Sequence, residues 1–355
     1  MLSWPHTDYQ DIMKNLKFSY YAGLQLVAML TFGYVGASAQ VRSGYSAKEE
    51  TFELTDIIPE SRIVVNCPAK ERINPKVHTK IVFYALPNGN TIEQTAGKLM
   101  TPADDWRFDI QHIAAQTRFL RENDRKHNYI TVYLQASMRA WTAHSAKYSE
   151  SPRLYIHLID TVCSIISEHF ASEVSNTEVI LSSHSGGGRF LFDYIKGVEQ
   201  IPAKIKGIVF IDSSYGYEDS LHAKKMTDWI KSSRNNKLAV FSYVDTTVRL
   251  NGKPIVSSKG GTGYRSKMMV DAFAGRGIKF RSYTDTVFHK FISLGGSGPA
   301  GGRVQILIKE NPTGQIYHTV LVERNGFIHS LLIGTPLEEK GYKFWGKRAY
   351  STFIE

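Results

Sequence analysis

The sequence is poor in cysteine and contains no long run of basic residues. Only two cysteines, Cys67 and Cys163, occur among 355 residues, which is too few for a cysteine-based metal site. They could form one disulfide or remain free thiols, and the sequence leaves both open. Without a basic tract, the net charge of +10 predicts no nucleic-acid-binding arm. It is compatible with a small-molecule or extracellular polymer substrate of acidic character.

Long apolar runs are also scarce, and the one that stands out is near the N-terminus. It covers about residues 21–35, two lysines precede it, and small residues ending in Ala39 follow it. This order of charged, apolar and small residues predicts a signal peptide over residues 1–39, cleaved after Ala39. The run is shorter than the roughly 20 residues of a membrane-spanning helix. We therefore expect a secreted or periplasmic protein without a stable membrane anchor.

Beyond residue 78 the sequence alternates between predicted strands and predicted helices. Amphipathic spacing predicts helices over 151–170, 190–198 and 219–233. Runs rich in β-branched and aromatic residues predict five strands, over 80–86, 129–134, 178–183, 207–212 and 238–244. This alternation predicts an α/β fold with a mostly parallel central sheet and helices on both faces.

The remaining segments do not follow this strand–helix alternation. Residues 40–77 are interpreted as an N-terminal lead-in that could hold edge strands, and 78–355 as the main domain. Within that domain, 251–302 is interpreted as a variable insertion framed by two glycine-rich loops. Near the end, 304–308 and 317–323 flank a turn and predict a hairpin.

The segment Ser183-His184-Ser185-Gly186-Gly187-Gly188 carries the most specific signal. It lies between a predicted buried strand and a helix, where a nucleophile elbow holds a serine hydroxyl above the sheet. Such turns read G-x-S-x-G, and here Ser183 replaces the first glycine. Ser185 is therefore the candidate nucleophile. The backbone N–H of Gly186, next to the positive end of a helix dipole, is a candidate oxyanion-hole donor.

This strand–elbow–helix arrangement resembles the α/β-hydrolase superfamily over roughly residues 78–335. The resemblance implies the α/β-hydrolase fold and the chain order nucleophile, acid, histidine, each following a strand. Asp245, after the fifth predicted strand, is then the preferred acid, and Asp212, one strand earlier, is the alternative. His329, past the last predicted strand, is the expected general base.

Two rival histidines and a second oxyanion donor are also considered. His318 is predicted at the start of the last strand, which would put it at the opposite edge of the sheet, and His289 lies within the insertion. The second oxyanion donor is expected from the loop 87–91, and we name Asn90 for it. The same loop could be an ordinary turn.

The resemblance implies hydrolysis of an ester, or of an amide, through a Ser-His-Asp triad and an acyl-enzyme. No metal or organic cofactor is expected. A peptidase or an acyltransferase would use the same serine, and a non-catalytic binding protein would keep the scaffold without a working triad. The sequence leaves the acyl group, the leaving group and the oligomeric state open.

Overall fold

The computed structural model describes residues 46–170, 176–293 and 302–355. The predicted signal peptide, the start of the lead-in and most of the second glycine-rich loop lie outside these residues. Within them, no helix combines the length and apolarity that a membrane span requires.

The described chain is organised around a ten-stranded sheet with the order β1-β2-β4-β3-β5-β6-β7-β12-β11-β10. The strands β3 to β7 and β12 run parallel to one another, and antiparallel pairs extend both edges. Two further short strands, β8 and β9, form a separate hairpin. The strands are β1 (Glu49–Leu54), β2 (Ser61–Pro68), β3 (His78–Ala85), β4 (His127–Ala136), β5 (Thr177–His184), β6 (Ile205–Ile211), β7 (Lys237–Tyr243), β8 (Arg249–Leu250), β9 (Lys253–Pro254), β10 (Phe280–Thr284), β11 (Phe288–Ser293) and β12 (Val304–Lys309).

Helices cover both faces of this sheet. Alternate residues of β3 belong to two different hydrophobic cores, because successive side chains of a strand point to opposite faces. The helices α3 to α7 pack into one core, and α1, α2, α8 and α9 pack into the other. They are α1 (Ile92–Ala96), α2 (Ile113–Asn123), α3 (Trp141–Lys147), α4 (Ser151–Phe170), α5 (Gly188–Gly197), α6 (Lys224–Ser232), α7 (Thr262–Gly275), α8 (Val320–Glu323) and α9 (Gly326–Leu332).

The predicted alternation is confirmed in these elements. The five predicted strands correspond to β3 to β7, and the three predicted helices correspond to α4, α5 and a segment ending in α6. The sheet is mostly parallel and helices cover both faces, so the predicted fold class is confirmed as well. These strands were predictable because parallel strands buried on both faces need nearly continuous apolar sequence.

The predicted C-terminal hairpin is wrong. Residues 304–308 lie in β12, but Val320–Glu323 is the short helix α8. Since β12 already pairs with β7 on one side and β11 on the other, it has no free edge for another strand. Leu321 and Val322 are instead buried in the core shared with α2 and α9. The loop before α8 therefore begins at the carboxyl end of β12, which is parallel to β7.

The lead-in and the insertion both add strands to the sheet. β1 and β2 lie within the lead-in, and β2 pairs antiparallel with β4. The insertion contains β9, α7, β10 and β11, and the last two extend the opposite edge.

Both cysteines are free thiols: Cys67 is buried and Cys163 is partly buried. Burial raises the pKa of the Cys67 thiol, so it stays protonated at neutral pH.

Candidate active site

The candidate site lies at the carboxyl ends of the parallel strands, and Ser185 is at its centre. Ser185 directly follows β5 and opens a single turn of 3-10 helix that continues into α5. Its φ of 54° is left-handed, a conformation that residues other than glycine rarely adopt. The side chain is half-buried. This is the sharp strand-to-helix turn that a nucleophile elbow requires.

Two of the three glycines after Ser185 are required by close packing against backbone atoms. A Cβ atom at Gly187 would lie 2.1 Å from the carbonyl oxygen of Ala85, at the end of β3. A Cβ atom at Gly188 would lie 1.8 Å from the carbonyl oxygen of Ser213, just after β6. The elbow is therefore wedged between the ends of two neighbouring strands, which fixes the position of Ser185.

A histidine–carboxylate pair lies at the same edge of the sheet. Asp212 directly follows β6, is fully buried and has a left-handed φ of 44°. Its Oδ2 forms a hydrogen bond with Nδ1 of His318, and its Oδ1 accepts one from the hydroxyl of Thr262. Burial alone would lower the pKa of His318, but the hydrogen bond and the negative charge of Asp212, with a smaller effect from Asp245, raise it.

His184 holds the backbone of His318 in place. Its Nε2 donates a hydrogen bond of 3.0 Å to the carbonyl oxygen of His318, and the two ring centroids are 4.8 Å apart. Burial, assisted by the neighbouring His318, lowers the pKa of His184 to about 3. His184 therefore stays neutral at physiological pH and holds the backbone of His318.

The preferred acid, Asp245, forms no hydrogen bond with a histidine among the described residues, whereas the alternative, Asp212, does. Asp245 is fully buried, and its Oδ2 accepts a hydrogen bond of 2.9 Å from the backbone N–H of Thr262. Its Oδ1 has no hydrogen-bond partner among the described residues. Burial and the adjacent charge of Asp212 raise the pKa of Asp245 to about 6.

His329, the expected base, is buried among aromatic side chains of the core. It lies in α9, where every residue from Gly326 to Leu332 is buried. Its ring stacks on Phe344 with centroids 4.7 Å apart, and Nδ1 is 3.1 Å from the hydroxyl of Tyr342. Burial lowers its pKa to about 3. The ring belongs to the hydrophobic core, whereas the rival His318 reaches the site because 317–323 is not a strand.

The other two candidates occupy different places. His289 lies on β11, where its Nε2 is 2.9 Å from the hydroxyl of Ser282 and its ring stacks on Phe291. Asn90 is buried in the predicted loop. The residue of that loop that lies against Gly186 is Asn88, since a Cβ atom at Gly186 would be 2.1 Å from the Asn88 Oδ1.

The burial of His329 predicts a pH dependence of stability. In the unfolded chain His329 takes up a proton near pH 6.5, but in the folded chain only near pH 3. Its contribution to stability is thus present above pH 6.5 and is lost as the pH falls. His329→Phe should be destabilised at pH 8, where Tyr342 loses its partner. This deficit should shrink by about 1.4 kcal/mol per pH unit as the pH falls from about 6 to about 4.

Urea unfolding of both proteins across this pH range measures the difference. A deficit that is the same at every pH would show that His329 is not held neutral in the folded chain.

No protein-family model matches the sequence, and no curated protein sequence matches it. Solved structures do. A thermostable esterase has 14% identity and a TM-score of 0.44; the match covers 78% of this chain and 60% of that one. The siderophore hydrolase EstB from Aspergillus nidulans has 14% identity, coverage of 79% and 93%, and a TM-score of 0.42. A feruloyl esterase module from Clostridium thermocellum has 11% identity, coverage of 83% and 93%, and a TM-score of 0.45.

The chain thus spans less than two thirds of the length of the first of these proteins. Its own sheet order and the turn at Ser185 define the fold independently of them. The described residues have an α/β-hydrolase fold.

Proposed function

We propose that this protein is a serine hydrolase that cleaves an ester bond, with Ser185 as nucleophile, His318 as general base and Asp212 as the orienting acid. The observation that carries the proposal is the hydrogen bond between His318 and the fully buried Asp212, at the sheet edge where Ser185 has its left-handed turn. Buried carboxylate, histidine and serine on the ends of adjacent elements are the components of acyl-transfer catalysis.

In the acylation step, Ser185 Oγ attacks the ester carbonyl carbon while His318 Nε2 takes the hydroxyl proton. Asp212 accepts a hydrogen bond from the Nδ1–H of His318. This bond fixes the tautomer in which Nε2 is free and stabilises the imidazolium that forms. The tetrahedral intermediate collapses, the carbon–oxygen bond to the alcohol breaks, and His318 gives its proton to the leaving oxygen. The acyl group remains on Ser185.

In the second step, His318 takes a proton from water, and the hydroxide formed attacks the acyl-enzyme. Collapse releases the carboxylic acid and returns the proton to Ser185. The backbone N–H of Gly186 is the first proposed oxyanion donor. The N–H of Gly89 is already bonded to the carbonyl of Arg139 at 2.8 Å. The second donor is therefore proposed to be Asn88, which lies against Gly186.

We propose that the substrate is an ester rather than an amide. The alcohol of an ester can leave with less proton donation from His318 than the amine of an amide requires. A matched pair of para-nitrophenyl ester and para-nitroanilide substrates tests this choice. Faster hydrolysis of the anilide would identify the protein as an amidase that uses the same residues.

Labelling with a fluorophosphonate tests the nucleophile directly. We expect one modified residue, Ser185, identified by mass spectrometry of the tryptic peptides, because only an activated serine displaces fluoride at neutral pH. Ser185→Ala should lose the label, and so should the heat-denatured wild type, in which the triad is dispersed.

Absence of the label from well-folded protein, shown by circular dichroism, would contradict the proposal. It would favour a binding protein on this scaffold.

A further inference from the structure

A cluster of basic and aromatic side chains lies beside His318 and has no role in the proposed triad. We define the Trp345 cluster as Lys309, Tyr317, Arg324 and Trp345. Tyr317 precedes His318 in the chain, and its ring centroid is 5.4 Å from that of Trp345. The cluster therefore includes the residue directly before His318 in the chain, and Tyr317 connects it to the proposed base.

The two cations of the Trp345 cluster are held on aromatic rings. Lys309 Nζ is 4.6 Å from the ring centroid of Tyr317 and 5.5 Å from that of Trp345. Arg324 Cζ is 5.2 Å from the same indole centroid. Cation–π contacts of this kind fix the position of a cation while leaving its charge unneutralised. The cluster thus presents two pre-positioned positive charges.

Among the described residues, no carboxylate forms an ion pair with Lys309 or Arg324. The neighbouring Arg348, in contrast, is neutralised by carboxylates. Arg348 binds Asp109 and Glu323, at 2.6 and 2.9 Å. No such ion pair involves Lys309 or Arg324 among the described residues, and Lys309 donates only to a backbone carbonyl. The two cations therefore remain available to an anion from solution.

The backbone at Trp345 is also unusual. Its φ of 65° is left-handed, which strains a residue with a large side chain. A hydrogen bond of 3.0 Å from Trp345 N to the carbonyl of Arg324 holds it there. Trp345, Arg324 and Lys347 line a cavity of about 540 Å³, which Glu323 and its ion-pair partner Arg348 also line. Arg324 and Trp345 therefore both face this cavity, and Lys309 contacts the same indole ring.

We infer that the Trp345 cluster is a substrate subsite for an anionic group, so that the enzyme prefers esters carrying a carboxylate at the end remote from the scissile bond. This inference rests on the proposed function. Lys309 and Arg324 bind the anionic group, while Trp345 keeps both cations in place. The overall charge of +10 attracts such substrates over longer distances.

The test compares two esters that differ in one charge: the para-nitrophenyl hemiester of glutarate and its methyl ester. The wild type should have the higher kcat/KM for the anionic ester. Lys309→Gln and Arg324→Gln should each lower that preference about fivefold, the range of a partly exposed ion pair, with little change for the neutral ester. Sodium chloride should weaken the preference.

Arg125→Gln is the matched control. Arg125 is exposed and lies just before the amino end of β4, whereas the proposed active site lies at the carboxyl ends of the strands. Its loss therefore removes the same charge without changing the cluster. An equal effect in this control, or equal losses for both esters in the cluster variants, would overturn the subsite.

Quenching of tryptophan fluorescence by free glutarate measures the subsite without turnover. It should occur in the wild type and in Ser185→Ala and be absent in Trp345→Phe. If neither ester is hydrolysed but quenching follows this pattern, the proposed function fails and the anion site stands. Quenching that is absent from the wild type would refute the site even in an active esterase.

Discussion

Replacing His318 by alanine is expected to lower kcat/KM for a para-nitrophenyl ester by at least about 10⁴-fold, because the variant has no group to take the Ser185 proton. His318 forms a hydrogen bond with the buried carboxylate of Asp212, at the carboxyl ends of the parallel strands. Steady-state hydrolysis at pH 8 measures the loss. Fluorophosphonate labelling of Ser185 should slow to a similar extent, since it needs the same base.

His329→Phe is the matched control for this prediction. It removes an imidazole from the same C-terminal segment, but His329 stacks in the core against Phe344. We therefore expect a change in stability and only a small change in kcat/KM. A variant of His329 that folds but is inactive, with an active His318→Ala, would restore His329 as the base.

The wild-type pH profile should agree with this assignment. The reaction needs a neutral His318, and the hydrogen bond and charge of Asp212 raise its pKa above the ordinary 6.5. The rate constant kcat/KM should thus fall as the pH drops through a value above 6.5. An acid limb near pH 3, the value for the buried His329, would contradict it.

The sequence was sufficient for the elements whose signal is local. The strands β3 to β7 could be predicted because each is an apolar run bounded by turn-forming residues. Ser185 could be proposed as nucleophile for the same reason, since the small residues around it and the flanking strand and helix all lie within a few positions of one another. A strained turn between two buried elements leaves few other compatible sequences.

The base and the acid depend on contacts that no local pattern reveals. The alternating residues 317–323 resemble a strand, but tertiary pairing overrides this preference because both edges of β12 are occupied. Asp212 and Asp245 both follow a strand, so position cannot separate them. Thr262, at the start of α7, binds both of them. The hydrogen bond to His318, which Asp212 makes, is what distinguishes their proposed roles.

Asp212→Asn is expected to lower kcat by about 10³- to 10⁴-fold at neutral pH. The new amide would keep its oxygen on the hydroxyl of Thr262, which now bonds Asp212 Oδ1, and turn its NH₂ group towards His318 Nδ1. His318 would then carry its proton on Nε2, the tautomer that cannot accept the Ser185 proton. The fold should persist, because the volume and the hydrogen bond to Thr262 are retained.

Asp245→Asn is the matched partner and should behave differently. Its amide oxygen can still accept the Thr262 N–H, and no histidine depends on it for its tautomer. We expect less than about a tenfold loss of kcat, since the change removes a charge but no proton acceptor of the triad. Because the charge of Asp245 helps to raise the pKa of His318, the acid limb of kcat/KM should move to lower pH.

The two variants together separate the candidate acids. Asp245 has a pKa of about 6, so at pH 8 it is ionised and the full effect of its charge on His318 is present. Measuring kcat and the pH profile of kcat/KM for both variants distinguishes a residue that fixes the tautomer from one that acts through its charge. If Asp245→Asn instead loses more activity than Asp212→Asn, with both proteins folded, His318 must change its carboxylate partner during the reaction, and the acid role returns to Asp245.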